Sequence, residues 1–204
     1  MRTAGTADRD AVVATVADAF VDDPAWRHLL GEDQARTAPL FAGALFDLRV
    51  DVAGVYLAGV AAGVADEDVG AVALWEPPGG GAGAPHRREE VWRVFAEGAG
   101  AQAWHRIERY DDAVHAVAPD YPFWYLGVLG TRPECRGRGL ATSVLRPVLD
   151  RAGADGVPCC LETSSEPNLA FYGGRGFAVT AEIALPDGGP RTWWLERRPA
   201  EPAS

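Results

Sequence analysis

The chain has 204 residues, which suits one good-sized domain, and we expect residues 1–204 to fold as a single unit. Its formal net charge of −10 at pH 7 argues against a nucleic-acid partner, because such proteins normally present a basic face to the phosphates. No apolar run reaches the roughly 18 residues that span a bilayer, and the first residues lack the apolar core of a signal peptide. Three cysteines, two of them adjacent, form neither a disulfide framework nor a metal-binding pair. These features predict a cytoplasmic protein without membrane attachment or metal.

The N-terminal part of the chain carries first helical and then strand patterns. Val13, Val16, Ala17 and Phe20 recur at helical spacing, and Asp22-Asp23-Pro24 is predicted to end that helix. The patterns that follow predict, in chain order, a helix at about 35–49, strands at 54–60 and 69–75, a flexible Gly/Pro-rich loop at 77–85, and helices near 89–97 and 101–117. A loose turn at 61–68 is expected to make the two strands an antiparallel hairpin.

The last 80 residues alternate more regularly. Their patterns predict a strand at 123–130, a helix at 139–153, a strand at 157–163, a short helix at 167–172, and strands near 177–184 and 191–197 across a turn at 186–189. The strand, helix and strand from 123 to 163 predict one parallel pair inside a sheet that is otherwise antiparallel. We therefore expect an α/β (α+β) fold with a mixed, mostly antiparallel twisted sheet flanked by helices.

A glycine-rich turn lies between the predicted strand and helix of that parallel unit. The turn is Arg136-Gly137-Arg138-Gly139-Leu140-Ala141-Thr142-Ser143. Because its glycines have no side chains, the first N–H groups of the helix can approach an anion, and the helix dipole adds to the attraction. Arg132 adds a third arginine within seven residues. The chain contains no lysine, which excludes a P-loop. The turn predicts a ligand that carries phosphate.

Two phosphate-binding folds use such a unit. For a dinucleotide fold, Gly137-x-Gly139 supplies two glycines, and Glu162 ends the next strand near the spacing of a ribose-binding acid. Against that fold, Thr142 occupies the third glycine position and too few residues follow to extend a parallel sheet. The dinucleotide fold is therefore the weaker of the two.

The stronger alternative depends on two signatures in sequence order. Arg136-x-x-Gly139-x-Ala141 after a strand resembles the pyrophosphate loop of the GCN5-related N-acetyltransferases (GNAT), which hold acyl-coenzyme A there. Asn168-Leu169-Ala170-Phe171-Tyr172, followed by Gly176-Phe177, resembles the second signature of that family. The resemblance implies the GNAT fold, in which the two parallel strands splay apart, with a coenzyme-binding core at about 120–180. It implies acetyl-CoA as cosubstrate, no metal, and transfer to an amine.

Further segments resemble the puromycin N-acetyltransferase branch of that family. They are residues 19–28, 71–75, 161–164, 177–181 and 189–193. That branch implies an aminonucleoside antibiotic as the acceptor and a role in antibiotic resistance. Two departures leave puromycin itself open: Asp23 stands where the branch has an aromatic residue, and residues 77–119 diverge. A small-molecule amine remains the expected acceptor.

The resemblance also implies roles for residues of the coenzyme-binding core. Tyr172 matches the general acid that protonates the departing coenzyme A thiolate. Asn168 matches a position that can reach the coenzyme arm. The remaining coenzyme-binding residues that it implies are Leu129, Gly130 and Thr131 along the arm, and Arg136, Gly137, Arg138, Gly139, Leu140, Ala141 and Thr142 around the diphosphate.

Glu162 is the candidate base that accepts the proton of the amine. It lies at the end of the second parallel strand, where an apolar ligand nearby would raise the pKa of its carboxyl group. The alternative is a strand-end acid that faces solvent. A covalent route through Cys159 or Cys160 is not favoured, because both lie mid-strand where cysteine behaves as a small hydrophobe. We expect direct attack in a ternary complex.

The acceptor pocket in the family is built from the N-terminal helices and the ends of the central strands. The candidate substrate-binding residues in those regions are Asp22, Asp23, Trp26, Trp75 and Trp124. Aromatic walls with acids suit a cationic amine with a flat apolar part, although each tryptophan on its own has a place in the core as an alternative. Two other functions stay open: an acyl-CoA sensor without turnover, and acetylation of a protein or peptide amine. The sequence leaves the oligomeric state open as well, including a homodimer.

Overall fold

The structure is a computed structural model that describes residues 1–52, 54–59, 69–79 and 85–199. The predicted turn at 61–68 and residues 80–84 of the predicted loop lie outside the described residues. The helices are α1 (Arg9–Ala19), α2 (Pro24–Leu30), α3 (Gln34–Asp47), α4 (Pro85–Ala99), α5 (Ala101–His115), α6 (Leu140–Asp155) and α7 (Glu166–Gly173). The strands are β1 (Arg2–Thr3), β2 (Val55–Gly59), β3 (Val69–Glu76), β4 (Trp124–Thr131), β5 (Cys159–Thr163), β6 (Ala178–Ile183) and β7 (Thr192–Arg197).

The strands form one seven-stranded sheet in the order β1-β2-β3-β4-β5-β7-β6. Strands β4 and β5 are parallel, whereas the other neighbouring pairs in this order are antiparallel. The predicted mixed, mostly antiparallel sheet with helices on both faces is confirmed. A dinucleotide fold is excluded, because it requires a mostly parallel sheet.

The two parallel strands part soon after they meet. Their register contains only Trp124 opposite Cys159 and Tyr125 opposite Cys160. Beyond Tyr125, β4 continues to Thr131 and pairs with β3 alone among the described strands. The backbone of β4 is therefore free on its β5 side over its second half.

A β-bulge in β4 lies where this gap begins. Leu74 is paired with Val128 and Trp75 with Leu126, so Gly127 is the extra residue. Leu126 consequently packs on the α6 side of the sheet, while Val128 packs on the other side with α1 and α3. The bulge thus decides which side chains of β4 face each layer.

Both faces of the sheet are covered by apolar packing. Val12 and Val16 of α1 are fully buried against one face, and Val144, Leu145 and Val148 of α6 against the other. Each fully buried aliphatic side chain of this kind contributes roughly 1.5–3 kcal/mol. The site described below lies where these layers meet the gap between β4 and β5.

Helix α2 is absent from the sequence prediction. Helix α1 ends at Ala19, shortly before Asp22-Asp23-Pro24, which were predicted to end it. The same residues also begin α2, because Asp23 Oδ1 accepts the N–H of Trp26 at 3.0 Å and Pro24 occupies the first turn. The two-residue strand β1 was likewise not predicted.

Candidate active site

Two cavities border β4. The first, here called the loop cleft, has a volume of about 620 Å³ and lies between the glycine-rich turn, the end of β4 and α7. The second, here called the aromatic cavity, has a volume of about 490 Å³ and lies between β4, β5 and helices α2 to α5. Helix α2 and strand β4 border both cavities: Pro24 and Leu129 line the loop cleft, and Ala25 and Gly127 line the aromatic cavity. The two cavities therefore lie next to each other along these elements.

The glycine-rich turn forms one wall of the loop cleft. Gly137 and Gly139 have φ angles of 76° and 77°, a left-handed conformation that glycine adopts without steric cost. Gly139 caps α6, and no side chain accepts a hydrogen bond from the first turn of that helix. The predicted coenzyme-binding residues that line the cleft are Leu129, Thr131, Arg136, Gly137, Gly139, Leu140, Ala141, Thr142 and Asn168. Buried Gly130 and exposed Arg138 do not line it.

These features suit a phosphate-bearing, extended ligand. The uncapped N–H groups of α6 and the adjacent Arg136 favour an anion. The unpaired half of β4 offers backbone donors and acceptors to a linear amide-containing chain. The loop cleft therefore fits the diphosphate and pantetheine arm of a coenzyme A ester.

Tyr172 reaches the loop cleft from α7. Its side chain is 6% exposed and makes edge contacts with the rings of Phe171 and Phe177. Among the described residues its hydroxyl has no hydrogen-bond partner. Burial raises the pKa of Tyr172 above its ordinary value, and the nearby charges of Glu162 and Asp23 raise it further. The phenol therefore keeps its proton and can donate it.

Arg175 is a feature of this cleft that the sequence analysis missed. Its Nη1 donates to the Phe171 carbonyl at 2.6 Å and its Nη2 donates to Thr142 Oγ1. The guanidinium lies 3.5 Å from the centre of the Phe171 ring. Arg175 thus joins α7 to the first turn of α6 and places a positive charge beside Tyr172. No sequence pattern singles it out, because the interaction joins segments that are distant in the chain.

The aromatic cavity has mostly apolar walls and an excess of acids. Its aromatic residues are Trp26, Phe41, Trp92, Trp104, Tyr110, Tyr121, Phe123, Tyr125 and Trp194. Its charged or titratable residues are Arg49, Glu76, Arg88, Glu108, Asp111, His115, Asp120 and Glu162. Such a lining suits a flat apolar molecule that carries a positive charge.

Glu162 lies in the aromatic cavity and does not point from the strand end into bulk solvent. Tyr125 Oη donates to both of its carboxylate oxygens at 2.8 Å, and Tyr110 Oη donates to Oε1 at 3.0 Å. Burial raises the pKa of Glu162 to about 7, although the two phenol hydrogen bonds act in the opposite direction. A carboxylate with this pKa is well matched to accept protons near neutral pH.

Arg49 is a second residue that the sequence analysis missed. It is 4% exposed, pairs with Glu76, and donates from Nη1 to the Leu45 carbonyl at 3.1 Å. Its positive charge also lowers the pKa values of Glu162 and Tyr125. This buried ion pair forms part of the polar end of the aromatic cavity.

The five predicted substrate-binding residues fall into three groups. Trp26 lines the aromatic cavity, whereas Asp22 and Asp23 line the loop cleft. Asp22 pairs with Arg27, and Asp23 caps α2. Trp75 and Trp124 line neither cavity; they are 0% and 3% exposed and pack on the α6 side of the sheet. Their placement corrects the expectation that they form an acceptor pocket, because the strand register turns them toward the opposite face.

The adjacent cysteines lie in β5 as buried thiols. Cys159 and Cys160 are both 0% exposed. Burial raises the pKa of Cys159 to about 11 and that of Cys160 to about 12, so neither forms a thiolate at neutral pH. This placement agrees with the expectation that both behave as packed hydrophobes.

A proton acceptor and a proton donor meet across the boundary of the two cavities. Glu162 faces the aromatic cavity and Tyr172 faces the loop cleft. The charge of Glu162 acts on Tyr172, and that of Asp23 acts on both Tyr172 and Tyr110. The arrangement can remove a proton from a group in one cavity and deliver a proton to a group in the other.

Comparison with known proteins agrees with this geometry. Residues 21–177 match the profile of the Acetyltransferase (GNAT) family. The histone acetyltransferase HPA2 and related acetyltransferase from Corynebacterium glutamicum ATCC 13032 has a similar structure, with a TM-score of 0.71 and 22% identity over 100% of this chain and 97% of that chain. Arylalkylamine N-acetyltransferase 2 from Aedes aegypti superposes with a TM-score of 0.63 and 13% identity over 97% of both chains. The Drosophila melanogaster polyamine N-acetyltransferase, which catalyses the formation of N-acetylagmatine, superposes with a TM-score of 0.61 and 13% identity over 97% of this chain and 98% of that chain.

The chain belongs to the acetyltransferase (GNAT) family, because the family profile covers most of its length. It is thus an N-acetyltransferase, and enzymes of this family generally use acetyl-CoA. In the described ranges, no helix has both the length and the apolar character needed to cross a membrane.

Proposed function

We propose that this enzyme transfers the acetyl group of acetyl-CoA to the primary amine of a small molecule by direct attack in a ternary complex. The observation that carries the proposal is the junction of the two cavities, where Glu162 and Tyr172 lie on opposite sides. The loop cleft takes the coenzyme, which supplies the acetyl thioester. The aromatic cavity takes the acceptor.

The residues at the junction have complementary tasks. Glu162 accepts the proton that the acceptor nitrogen loses as its new bond to the acetyl carbon forms. Tyr172 donates its phenolic proton to the sulfur as the bond between carbon and sulfur breaks. Backbone N–H groups at the end of β4 that do not pair with β3 polarise the thioester carbonyl. Asn168 and Arg136 hold the coenzyme at its arm and diphosphate.

The walls of the aromatic cavity support a cationic acceptor with a flat apolar part. Trp92 and Trp104 have ring centres 5.5 Å apart at the end formed by α4 and α5, and Glu162 lies at the β5 end. A cavity of about 490 Å³ favours a small molecule over a protein segment. Two structural neighbours, an arylalkylamine N-acetyltransferase and a polyamine N-acetyltransferase, are named for amine acceptors, which agrees with this class. We propose an aminonucleoside of the puromycin type as the first acceptor to test, with resistance to that antibiotic as the role.

We also propose that the enzyme acts in the cytoplasm. Cys135, Cys159 and Cys160 are all free thiols, which agrees with a reducing compartment. Gel filtration of the purified enzyme distinguishes a monomer from a homodimer.

The test is calorimetric titration of the purified protein with acetyl-CoA, followed by continuous measurement of thiol release with puromycin and a panel of primary amines. Coenzyme binding with amine-dependent thiol release supports the proposal. Binding without release for every amine favours an acyl-CoA sensor instead. Absence of coenzyme binding overturns the assignment of the loop cleft.

A further inference from the structure

Four oxygen atoms from three side chains converge at the polar end of the aromatic cavity. Tyr125 lies on β4, Tyr110 on α5 and Glu162 on β5, and all three line the cavity. Both tyrosine hydroxyls donate to the Glu162 carboxylate, at 2.8 Å and 3.0 Å. Three separate elements thus hold one carboxylate and two phenols as a single hydrogen-bonded cluster.

The direction of these hydrogen bonds restricts what the cluster can bind. A phenol has one proton, and in each tyrosine that proton is directed at Glu162. Tyr110 Oη and Tyr125 Oη therefore have only lone pairs left for a ligand. Glu162 Oε2 accepts one hydrogen bond, from Tyr125, and retains further acceptor capacity. With Glu162 ionised, the cluster offers acceptors and no donor.

Arg49 lines the same cavity outside the cluster, and its buried Nε–H has no hydrogen-bond partner among the described residues. The Nη atoms of Arg49 donate to Glu76 and to the Leu45 carbonyl, so they are directed away from the cluster. A ligand carbonyl or ether that contacts the cluster itself would face acceptor oxygen atoms. A ligand that brings several N–H donors and a positive charge satisfies all of them.

We propose that Glu162, Tyr110 and Tyr125 form a binding site for a primary ammonium group. This inference rests on the proposed function, because it places the acceptor amine in the aromatic cavity. The bound ammonium loses one proton to solvent to become the nucleophile, and Glu162 takes a second proton as the bond to the acetyl carbon forms. A primary ammonium has three N–H bonds, one for each of Glu162 Oε2, Tyr110 Oη and Tyr125 Oη. A quaternary ammonium carries the same charge without any N–H, and the site discriminates against it.

The test compares two cations of matched shape. 2-Phenylethylamine and its N,N,N-trimethyl derivative are titrated calorimetrically at pH 8 into the full-length protein saturated with coenzyme A, which has no acetyl group to transfer. We expect wild-type protein to bind the primary amine at least about tenfold more tightly, because charge-assisted hydrogen bonds are lost with the trimethyl compound. Tyr125→Phe is expected to weaken binding of the primary amine about tenfold and to leave binding of the trimethyl compound within about twofold.

Tyr110→Phe provides an independent second variant and should act in the same selective way. Tyr56→Phe, at a tyrosine of β2 outside the cluster, is the matched control and should change neither affinity. Equal affinity of wild-type protein for both cations, or no binding of 2-phenylethylamine, overturns the proposal. An equal loss of affinity for both cations in Tyr125→Phe and in Tyr110→Phe also overturns the proposal, since that result indicates that the two tyrosines have only a structural role.

The same preparations separate this inference from the proposed function. Selective binding of the primary amine without acetyl transfer from acetyl-CoA supports the ammonium site and contradicts the proposed function. Acetyl transfer to 2-phenylethylamine with equal binding of both cations supports the proposed function and contradicts the ammonium site.

Discussion

Arg49 lies directly against Gly127 at the bulge of β4. A β-carbon at position 127 would come within 2.7 Å of Arg49 Nη2. Arg49 has little room to move, because it is 4% exposed and paired with Glu76. The absence of a side chain at position 127 therefore determines where a buried positive charge lies, close to the proposed catalytic base.

We predict that Gly127→Ala displaces Arg49 and impairs the acceptor side of the reaction. The overpacking should lower the free energy of unfolding by about 1–3 kcal/mol. It should also raise KM for the amine more than it raises the Kd of acetyl-CoA, because Gly127 lines only the aromatic cavity. Chemical denaturation, steady-state kinetics and calorimetry measure the three quantities. An unchanged KM would contradict this role for Arg49.

We predict that Gly139→Ala weakens acetyl-CoA binding by about tenfold or more. The φ angle of 77° disfavours a side chain by about 1 kcal/mol, and a β-carbon there meets no protein atom within 4 Å, so the protein should still fold. Strain in the turn would instead move the N–H groups that approach the diphosphate. Gly153→Ala, in the same α6 helix without a positive φ, is the matched control and should bind normally. Calorimetry gives both affinities.

We predict that Tyr172→Phe lowers kcat by about 10²-fold or more and leaves the Kd of acetyl-CoA within about threefold. The substitution removes only the hydroxyl, which makes no hydrogen bond within the described part of the chain. Pre-steady-state and steady-state thiol release measure the effect, with Tyr56→Phe as the control. Wild-type turnover in the Phe variant would exclude Tyr172 as the proton donor.

We predict that kcat/KM of the wild-type enzyme falls about tenfold per pH unit below the Glu162 pKa of about 7, because protonation removes the base. Glu162→Gln should lower kcat/KM about 10²- to 10⁴-fold at pH 8. The exposed Glu182, paired with Arg191, supplies the control variant Glu182→Gln, which should retain the wild-type profile. A Glu162→Gln enzyme with the wild-type profile would require another base.

The same carboxylate should destabilise the fold at alkaline pH. Its pKa rises from 4.5 to about 7 on folding, so the folded state binds the proton more tightly than the unfolded state does. The contribution of Glu162 to the free energy of unfolding is therefore fully present below pH 4.5, and it is lost as the pH rises through about 7. Glu162→Gln should raise the free energy of unfolding by on the order of 3 kcal/mol at pH 8.5 and by far less at pH 5. Denaturant titrations at both pH values test this sign.

The features that the sequence predicts well have local signals. The glycine-rich turn from Arg136 to Thr142 combines left-handed glycines with a helix start, and both properties are encoded within a few residues. The alternation of strand and helix patterns from 123 to 197 likewise predicts the order of the C-terminal elements. Asp22-Asp23-Pro24 was ambiguous, because an aspartate followed by proline both ends one helix and begins another.

The features that it does not predict depend on contacts between distant residues. Tyr110 and Glu162 are 52 positions apart, and no periodicity relates them. Trp124 and Tyr125 are adjacent aromatic residues of β4, yet only Tyr125 faces the aromatic cavity. Which of the two does so depends on the pairing of β4 with β3 and β5, and therefore on tertiary structure.

The parting of β4 and β5 has a consequence for how the protein and its cosubstrate depend on each other. Over the second half of β4, no described strand pairs with the backbone on its β5 side, so a coenzyme arm bound there, as we propose, would complete the sheet. Ligand binding then adds interactions of the kind that hold the fold together. The affinity for the cosubstrate and the resistance of the central sheet to unfolding are accordingly linked quantities, and each reports on the other.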